Sequence, residues 1–117
     1  MTAAAANGLV TYTINTQSGA TYTLASTDQY QALVIASNAS TKTFSIPTNA
    51  ITAFAIGTAI SILNTGAGLL TINAVTSGTT TVTSAGATSA APTVAQYKAA
   101  VCIKTGTDTW TIVGGIA

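Results

Sequence analysis

The sequence predicts an all-β protein, a single domain built as an antiparallel β-sandwich or a jelly-roll-like barrel of about eight or nine short strands. Strand-forming Thr, Val, Ile and Tyr dominate, with Gly, Asn and Ser as turn residues between them. Apolar and polar residues alternate with a period of two, as in Val10, Tyr12 and Ile14. Strand-like segments recur about every ten residues, and this spacing is typical of sandwiches and barrels.

Nine segments carry the strand pattern in chain order. They are residues 9–15, 21–24, 31–37, 43–46, 59–63, 70–74, 80–83, 100–104 and 109–113. Each combines β-branched or aromatic residues with flanking turn residues. No long helical pattern interrupts them, and residues 93–101 predict only a turn or a short helical piece.

Two connections are irregular. Residues 47–58 carry Ile51, Phe54 and Ile56, and we expect these side chains to tuck under the sandwich. Residues 84–92 contain only small side chains apart from Pro92, which predicts an exposed loop.

The last two strands predict a closing hairpin around the loop 105–108. This register places Ile103 opposite Trp110 and Val101 opposite Ile112. The four side chains then share one face, which we expect to lie in the core or in an interface between subunits. A three-residue loop, 65–67, predicts a second hairpin.

In that second hairpin, Ile62 is expected to pair with Leu70 and Ile60 with Ile72. Both hairpins favour antiparallel sheets.

Charged residues make up only 4% of the 117 residues, against about 25% in a typical soluble domain. The five are Lys42, Lys98, Lys104, Asp28 and Asp108. A surface with so little charge gives little repulsion between molecules. The composition therefore predicts an obligate homo-oligomer or a part of a larger particle.

The same composition argues against several functional classes. The chain has no His, Glu or Arg and a single Cys102, so it offers no catalytic triad, zinc site or acidic calcium loop. We therefore expect no enzyme, no cofactor and no metal site. Three lysines neutralise too little phosphate for nucleic-acid binding, and we expect them to be solvated or to lie between subunits. The apolar stretch 51–63 is shorter than the roughly 20 residues of a membrane-spanning helix, so no membrane association is expected.

The first eight residues predict an extended arm, and residues 9–117 the β-sandwich domain. The arm consists mostly of small side chains and has no core of its own. Its candidate contact residues for another protein surface are Thr2, Ala3, Ala4, Ala5, Ala6 and Asn7.

Several short motifs, in this order and spacing, resemble a small β domain of tailed-bacteriophage virion proteins. They are Tyr22-Thr-Leu24, Asn38-Ala-Ser40, Thr43-Phe-Ser-Ile-Pro47, Ile56-Gly-Thr-Ala-Ile60, Gly66-Ala-Gly68, Leu70-Thr-Ile-Asn-Ala74, Gln96-Tyr97, Ile103-Lys-Thr-Gly-Thr-Asp-Thr-Trp110 and Val113-Gly114. The resemblance spans roughly residues 20 to 115. Where members of this family often continue with an acidic residue, the chain has Gly115.

The resemblance implies a structural protein of the virion. Because the domain fills the whole of this short chain, we expect a trimeric capsid decoration (cement) protein, made in the host bacterial cytoplasm. Its implied partner is the major capsid protein, which it would bind at the outer surface of the head. The alternatives are a receptor-binding or glycan-binding module of a tail fibre, in which Trp110 stacks on a sugar, and a tail-tube or connector component.

Overall fold

The computed structural model describes residues 11–117, and these form ten β-strands and one short 3-10 helix. The strands are β1 (Thr13–Gln17), β2 (Thr21–Thr23), β3 (Ala32–Ala36), β4 (Lys42–Ile46), β5 (Ala59–Asn64), β6 (Leu70–Ala74), β7 (Thr81–Ser84), β8 (Thr93–Val94), β9 (Ala99–Gly106) and β10 (Thr109–Gly114). The helix spans Ser26–Gln29. The all-β prediction is confirmed, and no helix of the described residues is long and apolar enough to cross a membrane.

The strands form two sheets that pack face to face in a sandwich-like arrangement. The larger sheet has six strands in the order β1-β3-β5-β9-β10-β7, and the smaller has four in the order β2-β4-β6-β8. From β1 to β6 the chain crosses to the other sheet after every strand. Consecutive strands therefore face each other across the interior instead of pairing side by side.

This alternation makes most strand pairs parallel, so the antiparallel prediction is wrong for much of the fold. β1, β3 and β5 are parallel neighbours in one sheet, and β2, β4 and β6 are parallel neighbours in the other. The pair β7 and β10 is also parallel. Antiparallel pairing is found between β5 and β9, between β9 and β10, and between β6 and β8. The residue pattern within a strand shows which side is buried but does not identify the neighbouring strand.

The predicted hairpin around residues 65–67 is replaced by a corner between the sheets. β5 pairs with β3 and β9, whereas β6 pairs with β4 and β8. Ile60, Ile62, Leu70 and Ile72 are nevertheless all buried. These side chains enter the interior from the two opposite sheets instead of lying side by side in one sheet. A hairpin and a corner between sheets bury the same residues, so the sequence could not distinguish the two.

The closing hairpin of β9 and β10 exists, but its register differs from the prediction by one residue. Trp110 lies opposite Lys104 and Ile112 opposite Cys102, with an irregularity between Thr109 and Trp110. The turn is shorter than predicted because Gly106 pairs with Thr109.

A shift of one residue exchanges the two faces of a strand. Trp110 and Ile112 therefore enter the core with Cys102. Val101 and Ile103 lie on the opposite, outer side of the sheet, where they are partly buried.

The core contains side chains from both sheets and from one loop. Phe54, in the connection 47–58, is buried and packs edge-on against Trp110, with ring centroids 5.4 Å apart. Ile51 and Ile56 of the same connection are 80% and 65% exposed, so the prediction that all three side chains tuck inward holds for Phe54 alone.

The remaining local predictions have mixed outcomes. Residues 87–90 are exposed, as predicted for the loop 84–92. Of the turn or short helical piece predicted for residues 93–101, a turn is found at residues 96–97, and Thr93–Val94 before it form a strand. The predicted arm, residues 1–8, lies outside the described residues.

Candidate interaction surface

The outer side of the six-stranded sheet carries a continuous set of aliphatic side chains, which we call the apolar face. Its members are Ile14, Leu33, Ile35, Leu63, Val101, Ile103 and Val113. The inward positions of the same strands are occupied by core residues such as Val34 and Ile62. Side chains alternate along a strand, so the apolar face is set by the same pattern that sets the core.

The strand registers align these side chains in rows across the sheet. One row runs Ile14, Leu33, Ser61, Val101 and Val113, because each of these residues is the pairing partner of the next. Paired residues on one face lie close enough for their side chains to touch. Ser61 is the one polar residue of this row, which otherwise forms an aliphatic stripe from β1 to β10.

A second row runs Thr16, Ile35, Leu63 and Ala99. Among the described residues, no charged side chain occupies an outward position on these strands. At about 4.8 Å between strands and about 3.3 Å per residue, the apolar face covers on the order of 400 Å². A patch of this size is typical of the largest apolar patch on a monomer, and such patches are often functional.

Both ends of the first row are well exposed. Ile14 is 58% and Val113 is 46% exposed. Beside Val113 the surface has a depression of about 390 Å³, lined in part by Thr83, Ala85 and Ile116. The apolar face thus extends into a concave region at its β7 edge.

The outer side of the four-stranded sheet has a different chemistry. Its central row is Thr21, Thr43, Thr71 and Thr93, one residue from each strand and each paired with the next. The neighbouring row contains Ser45 and Asn73, whose side chains are hydrogen-bonded at 2.7 Å. We call this surface the hydroxyl face. Hydroxyl groups remain well solvated there, so the two outer surfaces differ strongly in polarity.

Three of the five charged side chains, Asp28, Lys42 and Lys104, are buried. Lys42 is buried, and its Nζ donates hydrogen bonds to the carbonyl oxygens of Asn38 at 2.6 Å and Gly68 at 2.8 Å. These contacts tie the turn after β3 to the corner after β5. Burial lowers the pKa of Lys42.

Lys104 is also buried, with Nζ donating to Asn49 Oδ1 at 2.6 Å and to the Phe54 carbonyl at 2.7 Å. The expectation that the lysines are solvated or lie between subunits is therefore wrong for Lys42 and Lys104. Lys98 alone of the three is exposed.

The two aspartates serve separate parts of the fold. Asp28 is buried and accepts hydrogen bonds from the Tyr22 hydroxyl at 2.6 Å and the Ala25 N–H at 2.8 Å. Asp108 accepts from the Asn49 N–H at 2.8 Å and the Thr80 hydroxyl at 3.2 Å. Asp28 thus holds the segment around the 3-10 helix, whereas Asp108 joins two distant loops to the β9–β10 turn, and the two carboxylates share no hydrogen-bond partner. No group of three or more potential metal ligands occurs among residues 11–117.

Stability is expected to fall in alkali because of Cys102. Complete burial raises the pKa of its thiol from 9.0 to about 12. Above pH 9 the thiol ionises in the unfolded chain but not in the folded protein, so proton release favours unfolding. The free energy of unfolding should fall by up to about 1.4 kcal/mol per pH unit through this group.

The matched control for this alkaline effect is Cys102→Ala, compared with the wild type by urea denaturation between pH 7 and pH 11. Only the wild type has the buried thiol and loses stability through it at high pH. The difference in free energy of unfolding between the wild type and the variant should therefore narrow as the pH rises. A difference that stays constant would contradict the assignment. Tyr22, whose pKa burial and the Asp28 hydrogen bond raise to about 12, contributes equally to both proteins.

Comparison with models of known protein families gives no match for this chain, and comparisons with curated proteins and with solved structures give no significant match.

Sequence reasoning missed the apolar face, although a signal was present. β3 reads Ala-Leu-Val-Ile-Ala, apolar at every position, and such continuous runs are typical of strands covered on both sides. The outward Leu33 and Ile35 could have been found in this way. Val101 and Ile103 were singled out, but in a register that placed them with Trp110.

Proposed function

We propose that the protein is a non-enzymatic structural component of a tailed-phage virion, a decoration protein bound to the outside of the capsid. In this proposal it forms a trimer with copies of itself and contacts the major capsid protein. The single observation that supports association most strongly is the apolar face, which spans five strands of the larger sheet and, among the described residues, has no charged side chain at an outward position.

The apolar face can supply much of the free energy that association needs. Burial of apolar surface contributes roughly 25 cal/mol per Å², so a face on the order of 400 Å² gives at most about 10 kcal/mol per copy, because five of its seven side chains are already partly buried. Association costs are of similar size, roughly 4–15 kcal/mol. Because the hydroxyl face carries Thr, Ser and Asn instead, we assign the contact between copies to the apolar face and the solvent-facing side to the hydroxyl face.

The location on a phage head draws on the resemblance of the sequence motifs to phage virion domains. A cement protein acts by covering junctions between capsid subunits, where many weak contacts add up over many copies. The interior position of the charged groups supports a permanent assembly, since it leaves little charge on the surface to keep monomers apart.

The alternative of a glycan-binding fibre module has less support. That hypothesis depended on Trp110 as a platform for a sugar ring. Trp110 is only 1% exposed and packs against Phe54, so its ring is not accessible to a ligand.

The substitution Ser61→Lys tests the proposed contact. Ser61 lies in the centre of the apolar face, between Leu33 and Val101, and is partly exposed. A lysine there can extend into solvent in the monomer, but it would be buried without a partner in the oligomer. We expect the subunit dissociation constant to rise by about 100-fold or more, measured by analytical ultracentrifugation.

Thr43→Lys is the matched control, because Thr43 occupies the corresponding central and partly exposed position on the hydroxyl face. This variant should associate like the wild type. The proposal would be contradicted if both substitutions raised the subunit dissociation constant equally. It would also be contradicted if the wild type were monomeric at micromolar concentration.

A further inference from the structure

Lys104 and Asn49 form a close pair of complementary reactive groups in the interior. Lys104 Nζ lies 2.6 Å from Asn49 Oδ1. Because a C=O bond is about 1.2 Å long, the Asn49 Cγ lies no more than about 3.8 Å from Nζ. An amine nitrogen is thus held close to the carbon atom of a carboxamide, near the separation from which bond formation begins.

The surroundings fix both partners and exclude water from the amine. Lys104 is buried and pairs across the hairpin with Trp110, whose ring packs on Phe54. The second hydrogen bond of Nζ goes to the Phe54 carbonyl at 2.7 Å. The amine therefore donates its hydrogen bonds to two uncharged oxygen acceptors.

Asn49 is positioned from its other side by Asp108. Asp108 Oδ1 accepts the Asn49 N–H at 2.8 Å and the Thr80 hydroxyl at 3.2 Å. This carboxylate connects the loop that carries Asn49 to the β9–β10 turn. Asp108 is accordingly a positioning residue for the pair.

We propose that Lys104 and Asn49 join spontaneously in an intramolecular isopeptide bond. The Lys104 nitrogen attacks the Asn49 Cγ, a new C–N bond forms, and the bond from Cγ to the amide nitrogen breaks. The Lys104 ammonium gives up two protons in all, and the amide nitrogen takes up both and leaves as an ammonium ion. An ammonium group and a carboxamide thus become a secondary amide and an ammonium ion, so atoms and charge balance without an oxidant or any other co-reactant.

This bond goes beyond the proposed function and does not depend on it. It would connect the loop 47–58 covalently to β9, across 55 residues of sequence. A cross-link of that span constrains the unfolded chain and raises the unfolding temperature. The acceleration comes from holding the reacting groups in contact, since fixed geometry replaces a bimolecular encounter.

Mass spectrometry of the purified full chain tests the proposal. The intact mass should be lower than the sequence mass by one ammonia. The chain has lysines at 42, 98 and 104 and no arginine, so trypsin has three sites. The cross-link removes the site after Lys104, and residues 43–98 should remain joined to 99–117 as one branched peptide. Full intact mass, or normal cleavage after Lys104, would overturn the proposal.

Two variants guard against other sources of the same mass change. Lys104→Arg and Asn49→Ala each remove one reacting group and should retain the full mass, whereas the exposed-lysine control Lys98→Arg should still lose ammonia. A succinimide at Asn7-Gly8 also loses ammonia but leaves cleavage after Lys104 intact, so that pattern counts against the cross-link.

The role of Asp108 is tested by the rate of bond formation in newly synthesised chain, followed by intact mass, because protein that has already folded keeps the bond through denaturation. Asp108→Asn keeps an acceptor oxygen for the Asn49 N–H and should form the cross-link at close to the wild-type rate. Asp108→Ala lacks that oxygen and should form it at least about tenfold more slowly. If the cross-link forms at the same rate in the two variants, Asp108 does not position Asn49 for the reaction.

Discussion

Trp110→Ala is expected to lower the free energy of unfolding by about 3–5 kcal/mol, the usual cost of deleting a large buried aromatic side chain. Trp110 is the largest fully buried side chain of the described residues, and it supports Phe54 from the connection 47–58. Its removal leaves a cavity where β10 meets that connection. Urea denaturation followed by circular dichroism measures the loss.

Tyr30→Ala is the control for this cavity, because Tyr30 is an aromatic residue with 68% exposure. It should change stability by less than about 0.5 kcal/mol. A loss of under about 1 kcal/mol in Trp110→Ala would show that the ring is not a central part of the core.

Gly66→Ala is expected to cost about 3 kcal/mol or more through a backbone clash. A Cβ at Gly66 would overlap the carbonyl oxygen of Asn38 and would lie 2.9 Å from Lys42 Nζ. Backbone cannot move aside there, because Lys42 binds the same Asn38 carbonyl at 2.6 Å. The substitution should therefore separate the corner after β5 from the turn after β3. Differential scanning calorimetry of the variant measures the effect.

Gly78→Ala provides the comparison, since a Cβ at Gly78 meets no atom within 4 Å. This variant should be neutral or more stable by up to about 1 kcal/mol, because alanine restricts the unfolded chain. If the two variants have the same melting temperature, the close approach of the corner after β5 to the turn after β3 does not contribute to stability.

Strand positions could be predicted from the sequence, whereas strand partners could not, apart from the closing hairpin of β9 and β10. The alternation in Thr43-Phe-Ser-Ile-Pro47 locates β4 and its buried side chains Phe44 and Ile46. Nothing in that alternation shows whether the next strand lies beside it or across the interior. The parallel pairing with β2 and β6 follows from the three-dimensional path of the chain, which is a non-local property.

The charged residues show a second limit. Lysine usually lies at the surface, so the sequence alone favoured solvated Lys42 and Lys104. Their burial depends on carbonyl groups from distant turns, such as Gly68 for Lys42 and Phe54 for Lys104. These acceptors are backbone carbonyl oxygens, which every residue has, so the sequence does not show which of them will accept a hydrogen bond from a lysine. The register of the last hairpin was missed for a related reason, since an irregularity at Thr109 shifts it by one residue.

The apolar face connects the fold to the proposed function. Its residues alternate with core residues along the same strands, so a substitution that alters association need not alter the interior. Ser61 illustrates this separation, because its neighbours in sequence, Ile60 and Ile62, point into the core. The tests of association and of folding can therefore be made at adjacent positions.

Electron cryomicroscopy of purified virions that contain this protein tests the central claim most directly. We expect density for the chain on the outside of the head, with Leu33, Val101 and the rest of the apolar face covered by a neighbouring copy. We also expect that the threonine rows of the hydroxyl face remain open to solvent. Absence of the chain from the head, or an apolar face exposed to solvent in the assembled particle, would contradict the account.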